Sequence, residues 1–252
     1  MTKIALDIGH GEDTYNRTGS KGVLGLEEHH FNAAVGIELK KLLNHNGFDV
    51  FFTQLPFAND VGLKYRTDLA NRERADLFFS IHADANANKQ IEGHWAFYWS
   101  TSSDGKRLAE LLNEEMNRIV GTPPVGTGIK ACRSDVSWPN FHVIRETKMV
   151  AVLHEHEFMT NPAGLKRLQS VEFRKKCAEA DARAICRYYG VTFKPLSAVS
   201  EKDYHGHWAE KSIEKAIIKG VMSGYPDASF RPEQMVTRAE LASMLDRLKL
   251  LN

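Results

Sequence analysis

Two histidines each stand just past a short apolar run, His10 in KIALDIGHG and His82 in ADLFFSIHAD, and Glu28 opens the helical segment between them. A catalytic zinc needs donors of this kind: three N/O ligands, with a fourth position left for water. Glycine flanks His10 on both sides, as required where backbone turns sharply or comes close to a metal. Singly, each residue has an ordinary explanation, as a satisfied loop or strand-end histidine or as an acid favoured by a helix dipole. At strand ends expected to lie side by side, they read together as a metallohydrolase site.

Such a site also needs a carboxylate to carry the proton of the attacking water. The run MVAVLHEHEF offers Glu155 and Glu157. Strand alternation sets both on one face, with His154 and His156 on the other, so period alone leaves the choice open.

Apolar runs bounded by Gly, Asn or Asp alternate with segments of helical period, which predicts an α/β fold: a twisted, mostly parallel sheet with helices on both faces. Ligands of such sheets sit beyond the carboxyl ends of the strands, where His10 and His82 fall. The helix from Glu28 carries Phe31, Ala34, Val35, Leu39, Leu42 and Leu43 on one stripe and stops at Asn46-Gly47. Glu28 lies within about 20° of Val35 on that wheel, whereas Glu27 is turned away by roughly another 100°. Glu28 is therefore the inward acid, and His29 and His30 read as a solvated helix start. A second helix is expected over 105–119, and 129–145 reads as a long irregular segment near the site. Asn161 as N-cap and Pro162 open one further helix through VEFRKKCAEADARAICRYYG.

The 252 residues suffice for one well-buried domain and a small second module, and 42% hydrophobic with 26% charged residues is an ordinary globular balance. A net charge of +1 gives no reason to expect a nucleic-acid partner, and no apolar stretch reads as a membrane span. Cys132, Cys177 and Cys186 are too few and scattered for a disulfide framework and read as reduced, buried side chains. Ile4, Ala5 and Leu6 run straight into the first candidate ligand without a basic and apolar leader, so the protein is expected in the cytoplasm until release.

LDIGHG, EHHFN, FFSIHADAN and AVLHEHEFMTNP together resemble, in order and spacing, the motifs of the zinc-dependent N-acetylmuramoyl-L-alanine amidases of the type-three class. The resemblance covers 1–192. It implies Zn2+ held by His10, Glu28 and His82, Glu155 as the catalytic acid, and hydrolysis of the amide joining N-acetylmuramic acid to L-alanine in peptidoglycan. The family usually has a small apolar residue and glycine after that glutamate, where this chain has His156 and Glu157, which keeps Glu157 a secondary candidate. Arg66 and Asn71 read as structural. Arg145 in HVIRET is a candidate for a stem-peptide carboxylate, on the strength of guanidinium geometry.

After a linker over 193–202, the tail (203–252) is expected to be a small all-helical module: WAEKSIEKAIIKG with Trp208, Ile213, Ala216 and Ile217 inward, and TRAELASMLDRLKLL opened by a Thr237/Glu240 capping box. Its HWA, GYPD, FRP and TRAE signatures resemble a single S-layer homology repeat. That implies binding of secondary cell-wall polysaccharide, with Arg238 as an anion contact; because such repeats usually come in threes that share a core, a lone repeat is expected either to associate chains into a homo-oligomer, or to pack on the catalytic domain, or to be one of several. The combined reading is a lytic enzyme of Gram-positive walls resembling a phage or prophage endolysin. A mother-cell or autolytic amidase, a zinc peptidase acting on stem peptides, and a wall anchor with a defunct site are the alternatives.

Overall fold

The computed structural model describes residues 1–196, 203–225, 229–248 and 250–251. It divides into two units, Met1–Lys194 and Pro195–Asn252. No described helix is long and apolar enough to cross a membrane.

In chain order the first unit runs β1 (Lys3–Ile8), α1 (Thr14–Thr18), β2 (Gly22–Val23), β3 (Leu26–Glu27), α2 (Glu28–His45), β4 (Asp49–Phe52), α3 (Leu63–Arg72), β5 (Leu77–Asp84) and β6 (His94–Trp99). There follow α4 (Ser103–Glu115), a π-helical turn (Met116–Val120), β7 (Pro124–Cys132), α5 (His142–Arg145), β8 (Val150–Phe158), α6 (Pro162–Gln169) and α7 (Val171–Tyr188). Six strands form one sheet in the order β4-β1-β5-β8-β6-β7. Every pairing is parallel except β6 with β8, so the expected mostly parallel sheet is mixed by one reversal.

Alternation along the strands builds a core on each face. Ile4, Leu6, Leu77, Phe79, Ile81 and Val152 pack under α2, α4 and α7. Ala5, Phe78, Phe97, Ala151 and Leu153 pack on the opposite side with Val143 and Ile144 of α5. The stripe read along α2 is buried as expected, with Ala33 rather than Ala34 inward. All three cysteines are free and buried.

Two expected segments of the first unit need correction. The 129–145 segment is not wholly irregular, because Pro124–Cys132 forms an edge strand. Sequence signals concealed it: an edge tolerates proline and glycine, and the register with β6 is irregular between His94 and Ala96. The helix from Asn161 is likewise two helices. Asn161 caps α6 by accepting from Ala163 N and Gly164 N, but Ser170 is extended and its Oγ accepts from Phe173 N to start α7 afresh.

Arg66 holds β1 to α3 from inside. It is 1% exposed, lies 3.3 Å from Asp7, pairs with Asp60, and donates to the Val61 and Ile8 carbonyls at 2.9 Å each. Asp7 also accepts from Thr53 and Ser80 at 2.6 Å. Burial raises its pKa, but Arg66 and these hydroxyls outweigh that and keep it ionised. Asn71 accepts from Lys148 N and donates to Glu146 O, so it too is structural.

The second unit has α8 (Glu210–Ile218) and α9 (Arg238–Arg247). Ile213 and Tyr204 are buried, and the Asp203 carboxylate accepts from Phe230 N and Arg231 N. The Thr237/Glu240 capping box is present. Trp208, expected inward, is 90% exposed, because α8 begins after it and its indole is off the helical stripe. Ile217 is also partly exposed. Most of the linker (197–202), and Pro226 and Asp227 of the GYPD signature, lie outside the described residues.

Breaking a buried ion pair from one side leaves a charge stranded, so Arg66→Met is expected to cost about 3–5 kcal/mol. Urea unfolding should show a lower midpoint at unchanged slope. The double variant with Asp7→Asn should lose less than the sum of the single losses.

Candidate active site

The carboxyl ends of β1 and β5 lie side by side, with Ile8 opposite Ile81. The chain after β1 therefore delivers His10 beside His82. His10 adopts φ 59°, an uncommon conformation for a non-glycine residue. A Cβ on Gly9 would come within 2.6 Å of His82 Nδ1, and one on Gly11 would overlap the Asp60 backbone. The flanking glycines thus serve close approach.

Glu28, 2% exposed, points from the first turn of α2 between the two rings. Its Oε2 lies 3.2 Å from His10 Nε2 and its Oε1 2.8 Å from His82 Nδ1. Asn32 Nδ2 and Ala83 N each donate to Oε1 at 3.2 Å. Burial pushes the Glu28 pKa up, but His10 and then His82 outweigh it and hold the carboxylate well below the usual range. Burial lowers the His82 pKa and favours the neutral ring. Donor atoms of His10, Glu28 and His82 all lie within 4.8 Å of one another, so the group could hold a metal ion. Two imidazoles and an ionised carboxylate are a donor set that suits zinc.

The loop that carries His10 is pinned by residues the sequence did not single out. Gln54 Nε2 donates to the Ile8 and His10 carbonyls, and Asn32 Nδ2 to Gly9 O. His29 is not solvated, as expected from the wheel, but 1% exposed. Its Nδ1 donates to Gly9 O and its Nε2 accepts from Phe57 N, which fixes one neutral tautomer. The segment that follows β4 covers it, a tertiary contact no helical phase reports. His30 is half-exposed beside Glu12, as expected.

Glu155 stands opposite His82 in register and is 8% exposed. Its Oε2 is buried without a hydrogen-bond partner among the described residues. Burial, then Asp84 and Glu28, push its pKa well above the usual range. Glu157 is spent elsewhere: Oε1 accepts from Gly93 N and Phe158 N, and Oε2 pairs with Arg167 at 2.7 Å. The two acids differ because the β5–β8 register shifts between His82 and Asp84, so that Phe158 rather than Glu157 stands opposite Asp84. Strict alternation stops there.

His154 and His156 face α7, where each donates to one oxygen of the fully buried Asp181 at 2.8 Å. His156 Nδ1 also donates to His82 O at 3.1 Å, which ties α7 to the backbone of a candidate ligand. The donor atoms are close enough to bracket a metal. The group is nonetheless sealed from solvent and its carboxylate already accepts from both rings, so it reads as a brace.

Arg145 is engaged by Glu146 at 2.7 Å and by Asn140, not by the His10–Glu28–His82 cluster. Arg238 is exposed in the first turn of α9.

The N-acetylmuramoyl-L-alanine amidase family matches residues 4–187. The chain belongs to this family. LytC, an N-acetylmuramoyl-L-alanine amidase of Bacillus subtilis, is 30% identical over 190 residues, which cover 74% of this chain and 35% of LytC. This amidase-family chain thus spans about a third of the length of that relative. Among solved structures, the catalytic domain of the amidase CwlV from Bacillus (Paenibacillus) polymyxa var. colistinus superposes with TM-score 0.66 at 28% identity. The match covers 76% of this chain and all of that one. The S-layer homology domain matches residues 202–242. There a cellulosome-anchoring protein of Acetivibrio thermocellus is 48% identical over 46 residues, 18% of this chain and 10% of that protein.

Burial raises the Asp181 pKa, but His156 and His154 outweigh it and hold it at about 2, against an ordinary 3.8. A lowered folded-state pKa stabilises above the unfolded value and is lost as pH falls through the folded one. The shift is worth about 2 kcal/mol, present above about pH 4 and gone near pH 2. Asp181→Asn should therefore lower stability at neutral pH and flatten the acid dependence in that window. Equal acid-unfolding profiles for the two proteins would refute the brace.

Proposed function

We propose that this chain hydrolyses the amide between N-acetylmuramic acid and L-alanine in peptidoglycan, using zinc held by His10, Glu28 and His82. The observation that carries the reading is the unpartnered Glu155 Oε2 in register with His82, beside a buried two-histidine, one-carboxylate cluster. Bound zinc supplies Lewis acidity, polarising the scissile carbonyl and making water nucleophilic at neutral pH. The remaining steps belong to the protein. Asn32 and Ala83 N keep Glu28 aimed between the imidazoles. Glu155 accepts a proton as the water oxygen bonds to the lactyl carbonyl carbon, and returns it to nitrogen as the C–N bond breaks. Burial, then the neighbouring Asp84 and Glu28 charges, raise its proton affinity, which suits a group that must hold that proton between the two events. The products are a lactyl carboxylate and a free L-alanyl amine.

Purified Gram-positive walls should release amino termini without reducing ends. A chelator should stop the release and added zinc restore it. Glu155→Gln is expected to lower the rate about 10³-fold with zinc still bound. Reducing ends would make the enzyme a glycosidase, and stems lacking their L-alanine would make it a peptidase.

We further propose that the tail binds secondary wall polysaccharide through Arg238 and that the whole chain is a lytic, endolysin-like enzyme of Gram-positive walls. The S-layer homology match and the exposure of Arg238 at a helix start support the wall-binding part of this reading. Arg238→Ala should weaken sedimentation with walls that retain the polysaccharide and leave hydrolysis of soluble muropeptides untouched. Unchanged sedimentation would assign wall affinity to the catalytic unit.

A further inference from the structure

On the face that carries Glu155, neighbouring strands set residues in a row. Glu155 of β8 stands opposite His82 of β5 on one side and opposite Trp95 of β6 on the other. The Trp95 indole N–H donates to Asp84 at 3.0 Å, and Asp84 is one of the charges that raise the proton affinity of Glu155. Trp138, 49% exposed, packs on Trp95 with ring centroids 5.6 Å apart. The ammonium of Lys130 from the edge strand β7 lies over the Trp138 ring, 4.0 Å from its centroid, and 5.6 Å from that of Trp95. Among the described residues no carboxylate pairs with Lys130.

A cation held over an aromatic face loses rotamer freedom, so it meets an incoming anion already positioned. Arg145, by contrast, already has Glu146 as counter-charge. The arms that diverge from the scissile amide differ in charge. The glycan of N-acetylated sugars is neutral, whereas the peptide carries carboxylates. Strands lie about 4.8 Å apart, so β7 is about 15 Å from the strand of His82. The lysine leans back towards Trp95, within reach of two or three extended residues at about 3.4 Å each.

We propose that Lys130, seated on Trp138 and beside Trp95, is a specificity subsite for the carboxylate of an acidic stem-peptide residue just beyond L-alanine. This rests on the amidase reading above.

The test uses two synthetic muropeptides that differ only at the residue after L-alanine, one with a free carboxylate and one with the carboxamide. The full chain should favour the carboxylate about tenfold in kcat/KM, chiefly through KM. Lys130→Met should bring that ratio close to one, Lys130→Arg should keep part of it, and Trp138→Leu should fall between. Calorimetry on the zinc-loaded Glu155→Gln variant should show the same preference without turnover. Equal use of both substrates by the unmodified chain, or a ratio unmoved by Lys130→Met, would overturn the subsite. Failure of the unmodified chain to cleave either substrate would instead overturn the amidase reading.

Discussion

A carboxylate taken out of water and kept ionised is the constraint on which the catalytic unit depends. Glu28 is closed off by α2 and the sheet, and its charge survives only because two imidazoles and two N–H donors converge on it. That convergence dictates much around it. β1 and β5 must be neighbours so that His10 and His82 meet, Gly9 must lack a Cβ where the His82 ring passes, and Gln54, Asn32 and His29 must fix the carbonyls of the turn. Asp7 and Arg66 repeat the same physics one layer below, tying β1 to α3 beneath the turn.

The HEHEF stretch departs from the small apolar residue and glycine usual in the family, yet among the described residues only His154 Nε2 and Glu155 Oε2 in it are buried without a partner. His154 and His156 share Asp181, Glu157 takes Arg167 and two backbone amides, and Glu155 alone keeps a bare oxygen. Buried ionic groups of this sort cost desolvation that their mutual attraction only offsets when each partner is present. The brace therefore fixes geometry at the His82 carbonyl as well as supplying stability above the Asp181 pKa.

How far the sequence exposed the site follows from which interactions are local. His10, His82 and Glu28 were legible because strand ends, flanking glycines and helical phase are properties of a few consecutive residues. The choice between Glu155 and Glu157 was not, since it turns on a register shift against β5, visible only once the strands are paired. His29 was misread for a similar reason, as its cover comes from the loop around Phe57. Asp181 did leave a signal: it interrupts an otherwise apolar stripe of Cys177, Ala178, Ala184 and Ile185 on α7, a place where an acid needs a buried partner. Lys130 left none, because prolines and glycines disguised its strand as turn.

The single reversal in the sheet brings that last region beside Glu155. In an all-parallel sheet the strand beside β8 would reach the ligand-binding edge with its carboxyl end and continue into a loop. Because β6 runs antiparallel to β8, it begins at that edge, and Trp95, near its start, pairs directly with Glu155. β7 then follows β6 in parallel and sets Lys130 opposite Phe97, one alternation step along the same face from Trp95. A rigid ladder, not a loop, thus spaces the candidate acid, the indole and the ammonium. Sites built on strands hold geometry better than sites on loops. The reversal therefore sets His82, Glu155, Trp95 and Lys130 along one face across four adjacent strands, at spacings the ladder fixes.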